Sequence, residues 1–403
     1  MTRPSTKGFF VKERLTEARE ARDMTQADLA KAIGRAGPTV SNWERGHTAP
    51  EPNMLDDLAS ALGVRPGYLL KPVPAHGGHA IFFRSLANAA ARARTRERAR
   101  VRWLQHVSLT LQDLLEFPDV DIPAFVAPGD YLRLDKAELE RIATEMRSHW
   151  GLGEGPIPNM VLVAENAGVV VGVDEVGSTK IDGQSTWSDV DQRPYMLLAC
   201  DKNTAFRRQM DVAHELSHLV LHRGATSSDL EAHFDLIEEQ AKYLACAFLL
   251  PHRAFASEVS SLSLEGFRAL KPRWFVSIGA MIMRAREIEM LTEQAAEYLW
   301  RYRSARGWHR KEPLDSPEET PVEQPRLMRR SIELIIEAKV RTKRDLIDTD
   351  IGLGADTVEM LAALPPNFFA EAPANVVRLE PRFRERAIED SNSREVVPFK
   401  RPG

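Results

Sequence analysis

The clearest chemical signal in the sequence is His214-Glu215-Leu216-Ser217-His218. In a helix, residues i and i+4 lie on the same face, so His214 and His218 can direct both imidazoles toward one metal ion. Glu215 lies about 100° around the helix, where it is suited to accept a proton from a water on that ion. The pattern predicts a zinc site with Glu215 as its general base. The alternative is a solvated helix that carries two histidines.

A third protein ligand is expected, because a catalytic zinc ion typically has three protein ligands and a water. The next predicted helix, IEEQAKYLACAFLLP, offers Glu238 and Glu239. His222 is another candidate, but it lies two helical turns from His214. We therefore expect His222 to support a ligand through a hydrogen bond rather than to bind the ion.

Composition limits the class of protein. The chain has 403 residues, 43% of them hydrophobic and 28% charged, which is typical of a soluble globular protein with several domains. The net charge of −4 means that any affinity for nucleic acid must come from a local surface. With two cysteines, no signal peptide and no apolar run long enough to span a bilayer, we expect a cytoplasmic protein without a membrane anchor.

Changes of pattern along the chain predict a multidomain protein. Short amphipathic helices come first, with Thr25 as a helix N-cap, and an α+β pattern follows. We predict these segments: an all-α domain at 8–72, a linker and basic helical connector at 73–134, an α+β domain at 135–255, a mostly helical region at 256–382 and a disordered tail at 383–403.

Local patterns predict individual elements. Two β-branched runs in MVLVAENAGVVVGVDE favour a pair of strands around a turn, and RPYMLLAC favours another strand. Long helices are expected at about 204–222 and 230–250. The arginine-rich stretch from Arg92 to Arg102 favours a solvated connecting helix, and the alternative is a basic surface that contacts DNA backbone.

The segment TQADLAKAIGRAGPTVSNWERG resembles the Xre/Cro-type helix-turn-helix of phage-repressor-like regulators. The resemblance implies binding to a double-stranded DNA operator, commonly as a homodimer on two half-sites. Thr39, Ser41 and Asn42 would meet base edges from the recognition helix, and Gln26 would bind a phosphate at the start of the preceding helix. The alternative is a helical interaction module that has lost DNA binding.

The segment RRQMDVAHELSHLVLHRG, followed by IEEQAKYLACAFLLP, resembles the ImmA/IrrE family of zinc metallopeptidases. This resemblance implies an α+β, zincin-like fold and the following site: His214, His218 and Glu238 as ligands of Zn²⁺, and Glu215 as the catalytic base. The sequence departs from the family at Lys242, where the family usually has asparagine. A lysine there would either pair with Glu238 or disturb it.

Together the two resemblances imply a DNA-binding regulator that carries a zinc endopeptidase. Substrates in this family are often repressors or antitoxin-like proteins, so we expect a stress, mobile-element or toxin–antitoxin response. The alternative is a transcription factor whose zinc domain is a sensor or a structural module. A general degradative protease fits the sequence poorly, because such an enzyme has no use for a DNA-binding helix-turn-helix.

Overall fold

The N-terminal part of the chain is an all-helical domain. A computed structural model describes residues 10–75, 77, 79–83, 91–175, 182–201 and 204–370, so the expected tail at 383–403 lies outside the described residues. The first helices are α1 (Lys12–Ala21), α2 (Gln26–Ala32), α3 (Gly37–Glu44) and α4 (Met54–Leu62), followed by a 3-10 helix at Pro66–Leu70. The all-α class predicted for this part is confirmed.

Local sequence determines where these helices begin and end. The Thr25 hydroxyl accepts a hydrogen bond from the Asp28 backbone, and the Asp28 carboxylate accepts one from the Thr25 backbone. This capping box satisfies two donors at the start of α2, and the predicted N-cap is confirmed. Gly63 ends α4 at φ 62°, a left-handed conformation in which glycine costs little.

A small mixed sheet follows later in the chain. Its strands are β1 (Phe82–Phe83), β2 (Val170–Asp174), β3 (Gly183–Trp187) and β4 (Pro194–Ala199), in the order β1-β3-β4-β2. β4 is parallel to β2 and antiparallel to β3, and β3 is antiparallel to β1. The strand predicted for RPYMLLAC is confirmed as β4.

Both faces of this sheet are buried, and successive residues contribute to different cores because side chains alternate along a strand. One core receives Val171, Val173, Met196 and Leu198, and the second receives Val170, Tyr195 and Leu197. Each face of the sheet therefore packs against a different hydrophobic core.

The first core is built from the helices in the middle of the chain. They are α6 (Lys136–His149), α7 (Met160–Asn166), α8 (Ala205–Leu221), α10 (Phe234–Leu249), α11 (His252–Glu258), α12 (Leu264–Trp274), α13 (Ile278–Glu287) and α14 (Glu293–Ala305). The short helix α9 (Ser227–Ala232) contributes Leu230 to a separate small apolar cluster. The long helices α8 and α10 pack against each other, and α8 also contacts β3. The α+β class predicted here is confirmed.

The strand pair predicted for residues 160–174 is wrong in its first half, which forms α7. The Asn159 side chain accepts a hydrogen bond from the Leu162 backbone at 2.9 Å and caps this helix. Val161 and Ala164 are buried in the first core. Burial of this helical face overrides the β preference of the branched residues.

The second core joins the N-terminal domain to α5 (Ala91–Gln112) and to the C-terminal helices. Ala99, Arg100 and Val101 of α5, inside the arginine-rich stretch, are buried, so the prediction of a solvated connecting helix is wrong for this part. One face of α5 contacts α1, and another contacts β4. The C-terminal region is mostly helical, as predicted, with α15 (Leu327–Glu337), a π-helix at Asp345–Ile351 and α16 (Ala355–Leu361).

Buried polar contacts strengthen this junction. Tyr68 of the N-terminal domain donates its hydroxyl to Glu17 at 2.5 Å and accepts the indole N–H of Trp103 at 2.9 Å. From the same face of α5, one turn before Trp103, the Arg100 guanidinium donates to the Asp174 carboxylate at the end of β2. No helix in the described part of the chain is long and apolar enough to cross a bilayer.

Candidate functional site

The structure brings His214 and His218 of α8 together with Glu238 of α10. The two Nε2 atoms lie 3.1 Å apart. The Glu238 carboxylate oxygens lie 3.5 Å from Nε2 of His214 and 3.3 Å from Nε2 of His218. One donor atom from each residue falls within 4.8 Å of the others. Close packing of α8 on α10 thus places three potential ligands around one point.

Glu215 points from α8 toward β3. The Ser185 hydroxyl donates a hydrogen bond to its carboxylate at 2.7 Å. A Cβ atom added at Gly183 would lie only 3.1 Å from Oε1 of Glu215, so glycine there leaves room for the carboxylate. β3 therefore orients the predicted general base, and the base is buried with 2% exposure.

His222 lies behind His218 rather than among the three potential ligands. Its Nδ1 is 3.2 Å from Nδ1 of His218, and its Nε2 is 3.1 Å from Oε1 of Gln240. The Gln240 amide nitrogen donates to the Tyr131 carbonyl at 2.7 Å, so its oxygen must face His222. His222 is placed to act through a hydrogen bond.

These contacts determine which nitrogen carries each proton. Because Gln240 presents an oxygen, His222 donates from Nε2 and keeps a lone pair on Nδ1. His218 then donates from Nδ1 to His222, and its Nε2 retains the lone pair that a metal requires. Burial lowers the pKa of His222 to about 3, with a further contribution from His218, which keeps the ring neutral.

The residues present fit a bound metal ion. Two imidazoles and a carboxylate are ligands typical of zinc. Oε1 of Glu238 is buried and receives no hydrogen bond, although Nε2 of His218 lies nearby. Burial raises the pKa of Glu238, but its contacts with His214 and His218 outweigh this effect, and the pKa falls well below its usual range. The carboxylate is thus held ionised, as a ligand must be.

Two neighbours of Glu238 considered from the sequence lie outside this group. Glu239 is exposed, and so is Lys242. The described ion pairs of Glu238 are those with His214 and His218. The structure therefore places Glu238, rather than Glu239, beside the two histidines.

The predicted DNA-contacting residues lie on α2 and α3. Thr39, Ser41 and Asn42 of α3 are partly exposed, so their polar groups are available to a partner. The Gln26 amide nitrogen donates to Glu44 at 2.6 Å, which ties the start of α2 to the end of α3. Arg19 of α1 donates to the same carboxylate at 2.6 Å and fixes the angle of α3.

Comparison with known families agrees with this layout. Residues 15–69 match the helix-turn-helix family, and residues 164–286 match the IrrE N-terminal-like domain. No curated protein is detectably similar to the chain. The chain is thus a fusion of an Xre-type helix-turn-helix domain with a domain of the ImmA/IrrE metallopeptidase family.

Sequence reasoning missed three residues that shape the site: Ser185, Gln240 and Phe82. Ser185 orients Glu215, and Gln240 orients His222. The Phe82 ring stacks on His218 with centroids 4.7 Å apart and an interplanar angle of 6°. The role of Gln240 could have been predicted, because it lies two residues after Glu238 on the helix that carries the third ligand. The roles of Ser185 and Phe82 could not, because the pairing of distant strands brings them to the site.

Proposed function

We propose that the protein is a DNA-binding transcriptional regulator whose second domain is a zinc-dependent endopeptidase. The observation that carries the proposal is the convergence of His214, His218 and Glu238 within 4.8 Å. Glu215, on the same helix, is held by a hydrogen bond from Ser185. This combination provides three ligands and a separate carboxylate, which a structural metal site would not need.

In this proposal the side chains have distinct tasks. His214, His218 and Glu238 hold the ion, and zinc supplies Lewis acidity and lowers the pKa of a water to about 7. Glu215 accepts the proton of the attacking water and later delivers it to the leaving amine. The hydrogen bond from Ser185 orients the Glu215 carboxylate from the side of β3.

The DNA-binding domain indicates the setting. Thr39, Ser41 and Asn42 would contact base edges of an operator, with Gln26 at a phosphate. We propose that the substrate is a repressor or antitoxin-like protein, cleaved in a stress, mobile-element or toxin–antitoxin response. A homodimer would suit an operator with two half-sites, and such a regulator would act in the cytoplasm, where the DNA is.

Zinc content is the first test. Purified wild type is expected to hold about one zinc per chain by elemental analysis, and His218→Ala is expected to hold none. His149→Ala is the matched control, because His149 pairs with Asp121 at the surface and lies outside the site. Absence of metal from the wild type after incubation with zinc would overturn the peptidase proposal.

The second candidate function is a transcription factor with a structural or sensory metal. The burial of the site favours it, since His218 has 0% exposure. Glu215→Gln separates the two functions, because it keeps shape and zinc but removes the base. If the variant binds zinc and DNA normally but fails to regulate transcription in cells, regulation depends on peptidase activity. If regulation survives, the metal is structural or sensory.

A further inference from the structure

β1 is a short strand in a surprising place. It belongs to the segment between the helix-turn-helix domain and α5, a stretch expected from sequence to be a linker. It pairs antiparallel with β3, with Phe82 opposite Ser185 and Phe83 opposite Gln184. Ser185 is the residue that holds Glu215, so β1 runs directly beside the candidate catalytic strand.

The same segment packs against one side of the candidate metal site. The Phe82 ring lies flat against His218 and 5.8 Å from the ring of His222, and Phe82 is 2% exposed. With Ala80 and Tyr131 it belongs to a small apolar cluster that is separate from the two main cores. Phe82 therefore packs against His218 and His222 from the side of β1.

Polar contacts anchor this segment at its start. The Thr186 hydroxyl donates to the Ala80 carbonyl at 2.9 Å, and the Ala80 backbone N–H donates to Ala225 at 3.2 Å. His79 lies 2.8 Å from the Asp189 carboxylate at a partly exposed position. Among the described residues, the segment 79–83 is held by these hydrogen bonds, by its short pairing with β3 and by one small apolar cluster. The central strands β3 and β4 make a longer pairing and pack against the two main cores, so the segment is expected to open more easily than they do.

The arrangement has the form of a bound peptide. Extended peptides commonly bind proteins by adding a strand to the edge of a sheet, where main-chain hydrogen bonds give affinity and side-chain pockets give specificity. Phe82 and Phe83 pair with β3 in this way, and the Phe82 ring packs into the small apolar cluster. His214, Glu215 and His218 are 4%, 2% and 0% exposed, so a protein substrate reaches them only after part of the structure moves.

We propose that the outer edge of β3 is the substrate-binding site of the peptidase-like domain, and that residues 79–83 occupy it as an internal, inhibitory strand. The inference rests on the proposed function. The ligand class is an extended peptide with an aromatic residue at the position of Phe82. Binding of substrate then requires displacement of the strand, and that displacement opens the metal site.

The rate of zinc removal tests whether the strand closes the site. In zinc-loaded full-length protein with excess chelator, Phe82→Ala is expected to release zinc at least about tenfold faster than wild type. Phe267→Ala is the matched control, because it removes an equally buried ring from the first core. Equal rates in wild type and Phe82→Ala, or equally rapid release from both variants, would overturn the proposal.

Peptide binding tests the edge itself, without zinc. The probe is a fluorescent peptide with the sequence of residues 77–85, GGHAIFFRS. We expect it to bind metal-free Phe82→Ala more tightly than it binds metal-free wild type. We also expect a scrambled peptide of the same composition to bind Phe82→Ala more weakly. In wild type, excess peptide should increase hydrogen exchange at the amides of residues 79–83. Binding no better than that of the scrambled peptide would overturn the proposal.

The two arms separate this inference from the proposed function. If no variant holds zinc but the peptide binds and displaces residues 79–83, the β3 edge is a peptide-binding site without a metallopeptidase behind it. If zinc is bound but the peptide does not bind and Phe82→Ala leaves the release rate unchanged, the metal site stands and the inhibitory strand is wrong.

Discussion

The predicted DNA-contacting surface and the candidate metal site differ in how open their polar groups are to a partner. Thr39, Ser41 and Asn42 are partly exposed on α3, whereas His214 and His218 are buried. A surface that reads base edges can act in the conformation observed, because docking alone brings the contacts together. A site that cleaves a peptide bond must first admit its substrate, so the proposed peptidase activity requires a movement that the proposed DNA contacts do not.

The two regions are nevertheless joined through a common core. α5 contacts α1 of the helix-turn-helix domain and β4 of the sheet, and its buried residues belong to a core that includes both. The Tyr68–Trp103 hydrogen bond links α5 to the helix-turn-helix domain, and the Arg100–Asp174 ion pair links α5 to the end of β2. A change at this junction should therefore affect both regions, whereas a change at either site should affect one.

The largest effect is expected for Asp174→Ala. It leaves the Arg100 guanidinium buried without its main partner, and breaking a buried pair costs about 3–5 kcal/mol. Urea denaturation should show this loss in the free energy of unfolding, and hydrogen exchange should increase in both regions. Glu138→Ala is the control, because Glu138 pairs with Arg141 at an exposed position, where an ion pair contributes little to stability.

If Asp174→Ala increased exchange only around the sheet and left the amides of α1–α4 protected, the two regions would be stable independently. The shared core would then not couple them, and the comparison would reduce to two adjacent domains.

Asn42→Ala should weaken DNA binding about 10- to 100-fold, because a good contact with a base edge contributes about 1–3 kcal/mol. Zinc content and the unfolding midpoint should not change, since Asn42 is partly exposed. The measurement is fluorescence anisotropy with an operator selected from random DNA, and Glu215→Gln is the control that should bind normally. Wild-type affinity in Asn42→Ala would place recognition on another surface.

Sequence reasoning succeeded where function depends on residues close together in the chain. The spacing of His214 and His218 on one helix, and the capping of α2 by Thr25, are local properties that the structure reproduces. Glu238 required only one further step, the packing of two consecutive helices. The functional roles of these site residues remain predictions.

The errors arose where long-range packing decides the outcome. Residues 160–166 carry β-branched side chains, yet they form a helix because Asn159 caps it and the first core covers it. The arginine-rich composition of α5 gives no indication that one face of this helix is buried. Trp103 and Val107 on that face pack into the second core, whose other members lie far away in sequence. β1 has only two residues, too few for a periodic signal, and it exists because β3 offers it a partner.

Gln240→Ala should reduce zinc affinity about tenfold, within the range found for groups that orient a metal ligand. Without the glutamine oxygen, the proton positions of His222 and His218 are no longer determined. The measurement is competition with a chromogenic chelator. Gln112→Ala is the control, because that glutamine contacts Ser108 and Asp191 instead. Equal affinities in wild type and Gln240→Ala would show that the histidine pair is oriented without Gln240.

The smallest effect is expected for Lys242→Asn, which restores the residue usual in the family. Lys242 is exposed, and its charge acts on Glu287, whose pKa is raised to about 7 by burial and held back in part by nearby positive charges. Since exposed charges contribute about 1 kcal/mol or less, zinc affinity should change less than about fivefold. A gain of tenfold or more would mean that the lysine reaches Glu238 in solution and competes with the metal. The departure from the family would then weaken the site, whereas an unchanged affinity means that this position can vary without cost to metal binding.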